Sequence, residues 1–257
     1  MIRTDTLHKS FGDNHVLKGI DTEFYEGQCN LIIGRSGAGK TVLLKLLVGL
    51  FEPTEGQVYY DDVSFFDLSA KEKRAIRMKV GMLFQGNALF DSMTVEENVR
   101  FPLDMFTKMT AKEKQMRVDW CLERVSLEGS NPKYPSEVSG GMQKRVGIAR
   151  AIVQKPRYLF CDEPNSGLDP RTAIVIDELI KDITREDEII TVINTHDMNS
   201  VMGIGDNIAL LKGGHLVWRG QKEEVLRSEE EVLQEFIFAS PFLKRLREDA
   251  LKVRDGA

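Results

Sequence analysis

The stretch that most constrains this chain is Gly34-Arg35-Ser36-Gly37-Ala38-Gly39-Lys40-Thr41. It has the spacing G-x-x-x-x-G-K-[ST], follows an apolar run from Cys29 to Ile33, and opens onto a helix-like segment from Thr41 to Leu50. Three glycines let the backbone turn tightly and approach an anion closely. The loop's N–H groups and the N-terminus of the following helix then face phosphate oxygens. Lys40 supplies a point charge to the terminal phosphates, and Thr41 offers a hydroxyl to Mg²⁺. By itself the loop specifies a nucleoside triphosphate and leaves its use open.

A chain of 257 residues accommodates one large α/β domain or a core with inserted subdomains. Its net charge of -5 gives no basic footprint, so nucleic acid is not expected as a partner. Cys29, Cys121 and Cys161 lie far apart with no metal-ligand spacing, and an odd count argues against a disulfide framework. They point to a reducing compartment, with Cys29 and Cys161 as small core residues. The N-terminus lacks the apolar core of a signal peptide. The longest apolar run, Leu43 to Phe51, contains Lys45 and falls short of the roughly 18 residues a membrane span needs.

The first stretch reads as antiparallel strands, with Ile20, Thr22 and Phe24 alternating with polar residues, and Val58 to Val63 reads as a hairpin. Phe11, well upstream of the glycine loop, is either a core or turn aromatic or a ring that stacks on a base. Met82-Leu83-Phe84 is an apolar strand end followed by Gln85. Thr94 to Glu97 and Thr110 to Glu113 are capping boxes, and Val118, Cys121, Leu122 and Val125 mark one helix face. The region from about Asn87 to Pro135 is therefore a helical insert without strands. Ser139-Gly140-Gly141 opens a further helix with Val146, Ala149, Ile152 and Val153 on one side. Apolar strands return at Tyr158 to Cys161 and Ile189 to Ile193, separated by a helix carrying Ile174, Val175, Ile176, Leu179, Ile180 and Ile183. That alternation implies a parallel α/β sheet. Gly213-Gly214 turns a terminal hairpin. The tail from Glu229 reads as two short helices, the second beginning at Ser240-Pro241 and carrying Phe242, Leu243, Leu246 and Leu251.

Tyr158-Leu159-Phe160-Cys161-Asp162-Glu163 is an apolar strand tipped with two acids, which are costly there unless a metal or a charge meets them. Beside a phosphate loop, Asp162 suits a Mg²⁺ ion and Glu163 suits an attacking water. Ser139-Gly140-Gly141, at a helix N-terminus, is a second anion site in principle.

Val138-Ser139-Gly140-Gly141-Met142-Gln143-Lys144-Arg145-Val146, placed shortly before the acid-tipped strand, resembles the signature of ABC ATPases, the nucleotide-binding subunits of ABC transporters. The family's other motifs follow in register over nearly the whole chain to about Gly220. Gln85 resembles the Q-loop glutamine, Ser166-Gly167-Leu168-Asp169 the D-loop, His196 the switch histidine, and Phe11 the adenine-stacking aromatic. The resemblance implies a P-loop NTPase (RecA-like) parallel-sheet core with an N-terminal antiparallel β subdomain and an inserted α-helical subdomain. It places the cassette at 1–228, the insert at about 87–155, and a helical tail at 229–257. It assigns ATP contacts to Phe11, to Gly34 through Thr41, to Gln85, to Ser139 through Met142, and to Asp169. Mg²⁺ falls to Thr41, Gln85 and Asp162. Catalysis falls to Lys40, Glu163 and His196.

Two positions depart from the usual signature: Val138 stands for leucine and Met142 for glutamine. This S-G-G-M-x-K-R version, with the stretch from Phe84 to Val99, resembles the ATPases of MCE-type (Mla-type) lipid transport systems. The expectation is a head-to-tail homodimer sandwiching ATP on the cytoplasmic face of the inner membrane. It would drive an integral membrane permease, with an MCE-type lipid-binding protein as a further partner and the tail as a candidate site for a small regulatory subunit. The alternatives are the ATPase of a polar-solute importer, such as one for amino acids, and a non-transport ABC protein.

Overall fold

The computed structural model describes residues 1–225, 227–228 and 230–237. Its first strands, β1 (Ile2–Phe11), β2 (Asn14–Ile20) and β3 (Glu23–Phe24), are antiparallel, with β1 pairing both others. Ile20, Thr22 and Phe24 all point inward, as their alternation predicts. β4 (Cys29–Ile33) is buried at every residue and feeds the glycine loop, which opens onto α1 (Lys40–Leu47). β5 (Glu55–Tyr60) and β6 (Val63–Ser64) form the expected hairpin, turned by Asp61 and Asp62 at φ 48° and 65°. The small sheet has the order β2-β1-β5-β6.

After α2 (Ala70–Arg77) and β7 (Val80–Leu83) the chain leaves the sheets for α3 (Val95–Phe106), α4 (Ala111–Arg124) and α5 (Gly140–Ile152). No strand interrupts residues 84–157. Both expected capping boxes form, Thr94 with Glu97 and Thr110 with Glu113. A third, Ser69 with Glu72, starts α2. Val118, Cys121, Leu122 and Val125 are buried together, the single face their spacing requires.

β8 (Tyr158–Asp162), α6 (Pro170–Glu186), β9 (Ile190–Thr195), α7 (Met198–Ile204), β10 (Asn207–Lys212) and β11 (His215–Gly220) complete the large sheet. Its order is β11-β10-β4-β9-β8-β7, parallel except for the β10–β11 hairpin. Two short helices follow, α8 (Lys222–Val225) and α9 (Glu231–Ile237). α9 buries Leu233 and Ile237. The helix expected from Ser240-Pro241 lies outside the described residues.

The core divides at the large sheet. On one side, Leu43, Leu44, Leu46 and Leu47 of α1 pack between the small sheet (Ile2, Leu7, Leu17) and Ile32, Phe160 and Val192. Each such side chain contributes about 1.5–3 kcal/mol of burial free energy, which fixes α1, and with it Lys40 and Thr41, against the sheet. On the other side, Leu31, Leu159 and Ile193 meet the helical region through Val146, Ile148 and Ile176. Of the six apolar residues noted on α6, Ile176, Ile180 and Ile183 face this core, while Ile174 and Val175 are exposed. A helix turns only one stripe inward.

Candidate active site

Parallel register assembles the site. Ile33 pairs with Thr195 across β4 and β9, and Asp162 pairs with Asn194 across β8 and β9. Gly34, Glu163 and His196, the next residues of the three strands, therefore emerge together at the carboxyl edge of the sheet, where ligands of open α/β sheets bind.

The glycine loop has little room for anything else. Gly34 sits at φ 149°, and a Cβ there would run into the main-chain oxygen of Leu211. Gly39, which precedes α1, sits at φ 102°, and a Cβ there would lie 2.7 Å from Leu17 Cδ2. Lys40 is buried, and its Nζ folds back to donate to the Gly34 carbonyl at 2.9 Å. The same Nζ lies 3.5 Å from Glu163 Oε1.

Thr41 Oγ1 donates to Asp162 Oδ1 at 3.0 Å, and Asn194 Nδ2 donates to the same oxygen at 3.1 Å. Glu163 is buried at φ 50°, a left-handed conformation rare outside glycine, and its N–H donates to the Asn194 carbonyl at 3.0 Å. Its Oε2 lies 2.8 Å from Nδ1 of His196, whose ring is largely exposed. Lys40, Thr41, Asp162, Glu163 and His196 are thus one connected group.

The other expected residues stand further out. Ser139 is the N-cap of α5, its Oγ accepting from Met142 N at 3.3 Å, and Ser139 and Gly140 are exposed. Met142 packs partly against the helical core. Among the described residues, no hydrogen bond or ion pair joins Ser139 through Met142 to the glycine loop. Asp169 caps α6, its carboxylate accepting from the N–H groups of Arg171 and Thr172. These bonds, with the Thr172 hydroxyl foremost, hold its carboxyl below the usual range. Phe11 is exposed, edge-on to Phe51 at 5.4 Å between ring centres. The Gln85 side chain is exposed, and no described hydrogen bond links it to Thr41 or Asp162.

Sequence reasoning missed Asn194 and the structural role of Lys144. A polar Asn inside a strand buried at all six positions signals a partner, because buried amides are hydrogen-bonded. Lys144, on α5, is buried and donates to the Gln85 carbonyl at 2.8 Å. Burial lowers its pKa, partly countered by the acidic groups nearby. Further along the same helix, Arg150 donates to the carbonyls of Asn87 and Ala88 at 2.6 and 2.8 Å. The loop after β7 is therefore tied by cations to the helix that begins at Ser139.

The donor set fits a nucleotide with Mg²⁺. Among the described residues, no cluster of three His, Cys, Asp or Glu side chains could hold a metal alone. A hydroxyl and one carboxylate beside a phosphate loop match an ion that keeps waters and takes its remaining oxygens from phosphate.

Residues 17–166 match the family described as ABC transporter. The chain is 39% identical over 236 residues to the probable ribonucleotide transport ATP-binding protein mkl of Mycobacterium leprae, covering 92% of this chain and 68% of that protein. It is 38% identical over 242 residues to the methionine import ATP-binding protein MetN of Halalkalibacterium halodurans, covering 92% and 71%. The chain thus spans about two thirds of the length of these curated relatives. Its fold resembles the dimeric bacterial ABC transporter cassette MJ0796, with TM-score 0.79, 34% identity, and 86% of this chain and 99% of that one covered. A post-hydrolysis dimer of the same cassette, bound to ADP and Pi, matches with TM-score 0.79 and 33% identity over the same shares. Cassettes of this family dimerise and work with a membrane permease. Among the described residues, no helix is long and apolar enough to cross a membrane. The chain belongs to the ABC transporter family, as an ATP-binding subunit that hydrolyses ATP with Mg²⁺.

Proposed function

We propose that this subunit powers lipid transport, of phospholipid in particular, between bacterial envelope membranes, on the cytoplasmic face of the inner membrane. Its partners would be a separate permease and an MCE-type lipid-binding protein, with a small regulatory subunit on the tail as a further candidate. The observation that carries the hydrolytic part is the contact of Glu163 with both Lys40 and His196. Bound Mg²⁺ supplies charge neutralisation on the transferred phosphoryl group. Lys40 exchanges its Gly34 carbonyl for phosphate oxygen, and Thr41 and Asp162 provide the ion's protein oxygens. Glu163 orients the attacking water, a role typically worth about 10²–10⁴-fold, and His196 holds the carboxylate and meets the γ-phosphate. Phe11 would stack on the base, and Gln85 would join Thr41 and Asp162 in holding the ion.

Ser139 and Gly140 are exposed, Gly141 is half-buried beside them, and none has a tie to its own glycine loop, which supports their use by a second copy in a head-to-tail dimer. Met142 and the D-loop Asp169 would sit at that interface. The permease would be driven through the groove between the sheet edge and the helical region, a space of about 590 Å³ lined by Phe84, Phe90, Phe101, Phe106 and Arg77. Buried Asn98 shapes its rim, donating to the carbonyls of Phe90, Met93 and Thr94.

The lipid assignment rests on the signature variant and the stretch from Phe84 to Val99. The likeness to MetN supports a second reading, the ATPase of a polar-solute importer. Purification of the chain from membranes in detergent, with lipid analysis of the complex, separates the two. Co-purifying lipid-binding protein with bound phospholipid supports lipid transport, and a solute permease without it supports import. For the site, Glu163→Gln should abolish turnover while trapping an ATP-bound dimer, and normal turnover would reject Glu163 as the base.

A further inference from the structure

Asp177 lies inside the molecule on α6, two turns beyond the Asp169 cap and outside every motif, and is 6% exposed. Its Oδ1 accepts from Asn165 Nδ2 at 2.7 Å, and the same amide donates to Ser200 Oγ at 3.0 Å. Asp177 also interacts with the Ser200 side chain. Asn165 and Ser200 are themselves buried.

What makes this triad informative is where its outer members sit. Asn165 is two residues beyond Glu163, in a tight turn closed by Ser166 N to Glu163 O at 3.1 Å and Leu168 N to Asn165 O at 3.2 Å. Ser200 is in the first turns of α7, four residues beyond His196. The two segments that carry the paired Glu163 and His196 are therefore pinned to one carboxylate.

The amide orientation adds a physical reason for a charge at this place. Asn165 Oδ1 is buried without a hydrogen-bond partner among the described residues, while Nδ2 makes both bonds. An orphaned acceptor costs free energy, and a flip would relieve it only by turning Oδ1 onto the carboxylate. The negative charge of Asp177 disfavours that flip, so the amide keeps both of its donor bonds.

We propose that Asp177 is a positioning residue for ATP hydrolysis: through Asn165 and Ser200 it holds the turn bearing Glu163 and the helix following His196 in one fixed relationship. The inference rests on Glu163 and His196 acting in hydrolysis as proposed above. Burial raises the Asp177 carboxyl to about 6, so keeping the ion there opposes stability, as expected of a group retained for geometry.

The test compares ATP turnover, KM for ATP and thermal midpoint in the full chain at pH 8, with Glu163→Gln as the control. Asp177→Asn keeps the shape and removes the charge. It should lower kcat about tenfold, leave KM within about twofold, and leave the thermal midpoint at or above the parent value. The exchange Asn165→Asp with Asp177→Asn restores an amide–carboxylate pair of reversed polarity and should recover at least half of the lost kcat. The proposal is overturned if Asp177→Asn keeps full kcat while Glu163→Gln is inactive. It is also overturned if kcat and thermal midpoint fall together and the exchange restores neither, the pattern of simple packing. Should Glu163→Gln itself turn over normally, the reading of the base is what fails.

Discussion

The ammonium of Lys144 donates to the main-chain carbonyl of Gln85 at 2.8 Å, across 59 positions of sequence. The bond ties the loop after β7 to the helix that begins at Ser139. Replacing Lys144 with Met keeps the aliphatic stem and deletes the charge. Because the ion is buried at a desolvation cost, global stability should change by no more than about 1 kcal/mol. The loop should loosen instead, and amide hydrogen exchange at Gly86 to Ala88 should quicken severalfold. Unchanged exchange there would reject the tether.

Gly34 and Gly37 make a matched pair. Both have positive φ, but a Cβ at Gly34 meets the Leu211 carbonyl whereas Gly37 faces open space. Gly34→Ala should destabilise the fold by about 2–4 kcal/mol and depress ATP affinity, since strain and overlap add. Gly37→Ala should cost only about 1–2 kcal/mol, the left-handed penalty alone. Chemical denaturation with nucleotide titration distinguishes them.

Asp177 gives a pH signature of defined sign. Its carboxyl is raised to about 6 by burial, with Asp197 and Glu178 adding repulsion against the hydrogen bonds from Ser200 and Asn165. A folded-state value above the unfolded one means the native protein binds the proton more tightly. The contribution is fully present below about pH 4 and is lost as pH rises through about 6. Relative to the parent, Asp177→Asn should therefore gain about 1–3 kcal/mol of stability between pH 4 and pH 8, measured by denaturant unfolding. A loss over that interval would contradict the sign.

The three thiols should be silent in the native protein. Cys29, Cys121 and Cys161 are buried and unpaired, and burial pushes Cys29 up to about 12 and Cys121 up to about 11, with Cys161 raised as well. A thiol reagent should label none of them at pH 8 until the chain unfolds, because the thiolate is the reactive form. Rapid labelling of any one would show local opening at that strand or helix.

Legibility in the sequence followed locality. Gly34 to Thr41, Asp162-Glu163 and the caps at Thr94 and Thr110 are short-range patterns whose geometry is dictated within a turn or two, and all were readable. The burial of β4, β8 and β9 followed from their apolar runs, since parallel strands are covered on both faces. The contacts that finish the site were not readable. Asn194 reaches Asp162 across a strand pairing, and Asn165 reaches Ser200 over 35 positions, so only the assembled sheet brings them together. Lys144 was visible as a signature residue but not as a tether, because a buried cation reads like any exposed one until its partner is known. Asp177 offered no local pattern at all.

The position of β7 carries a mechanical consequence. Among the described residues it is the outermost strand of the large sheet on its side, four residues long and bonded only to β8. The excursion from Gln85 to α5 leaves the sheet at that margin and returns to it in β8, and no strand of it is woven into the ladder. A push on the helical region is thus resisted by side-chain packing and a few cation–carbonyl ties, while the strands bearing Gly34, Glu163 and His196 keep their backbone bonds on both flanks. The alignment of the groups that meet the nucleotide is thus held by main-chain bonds, and the seating of the helical lobe chiefly by side chains.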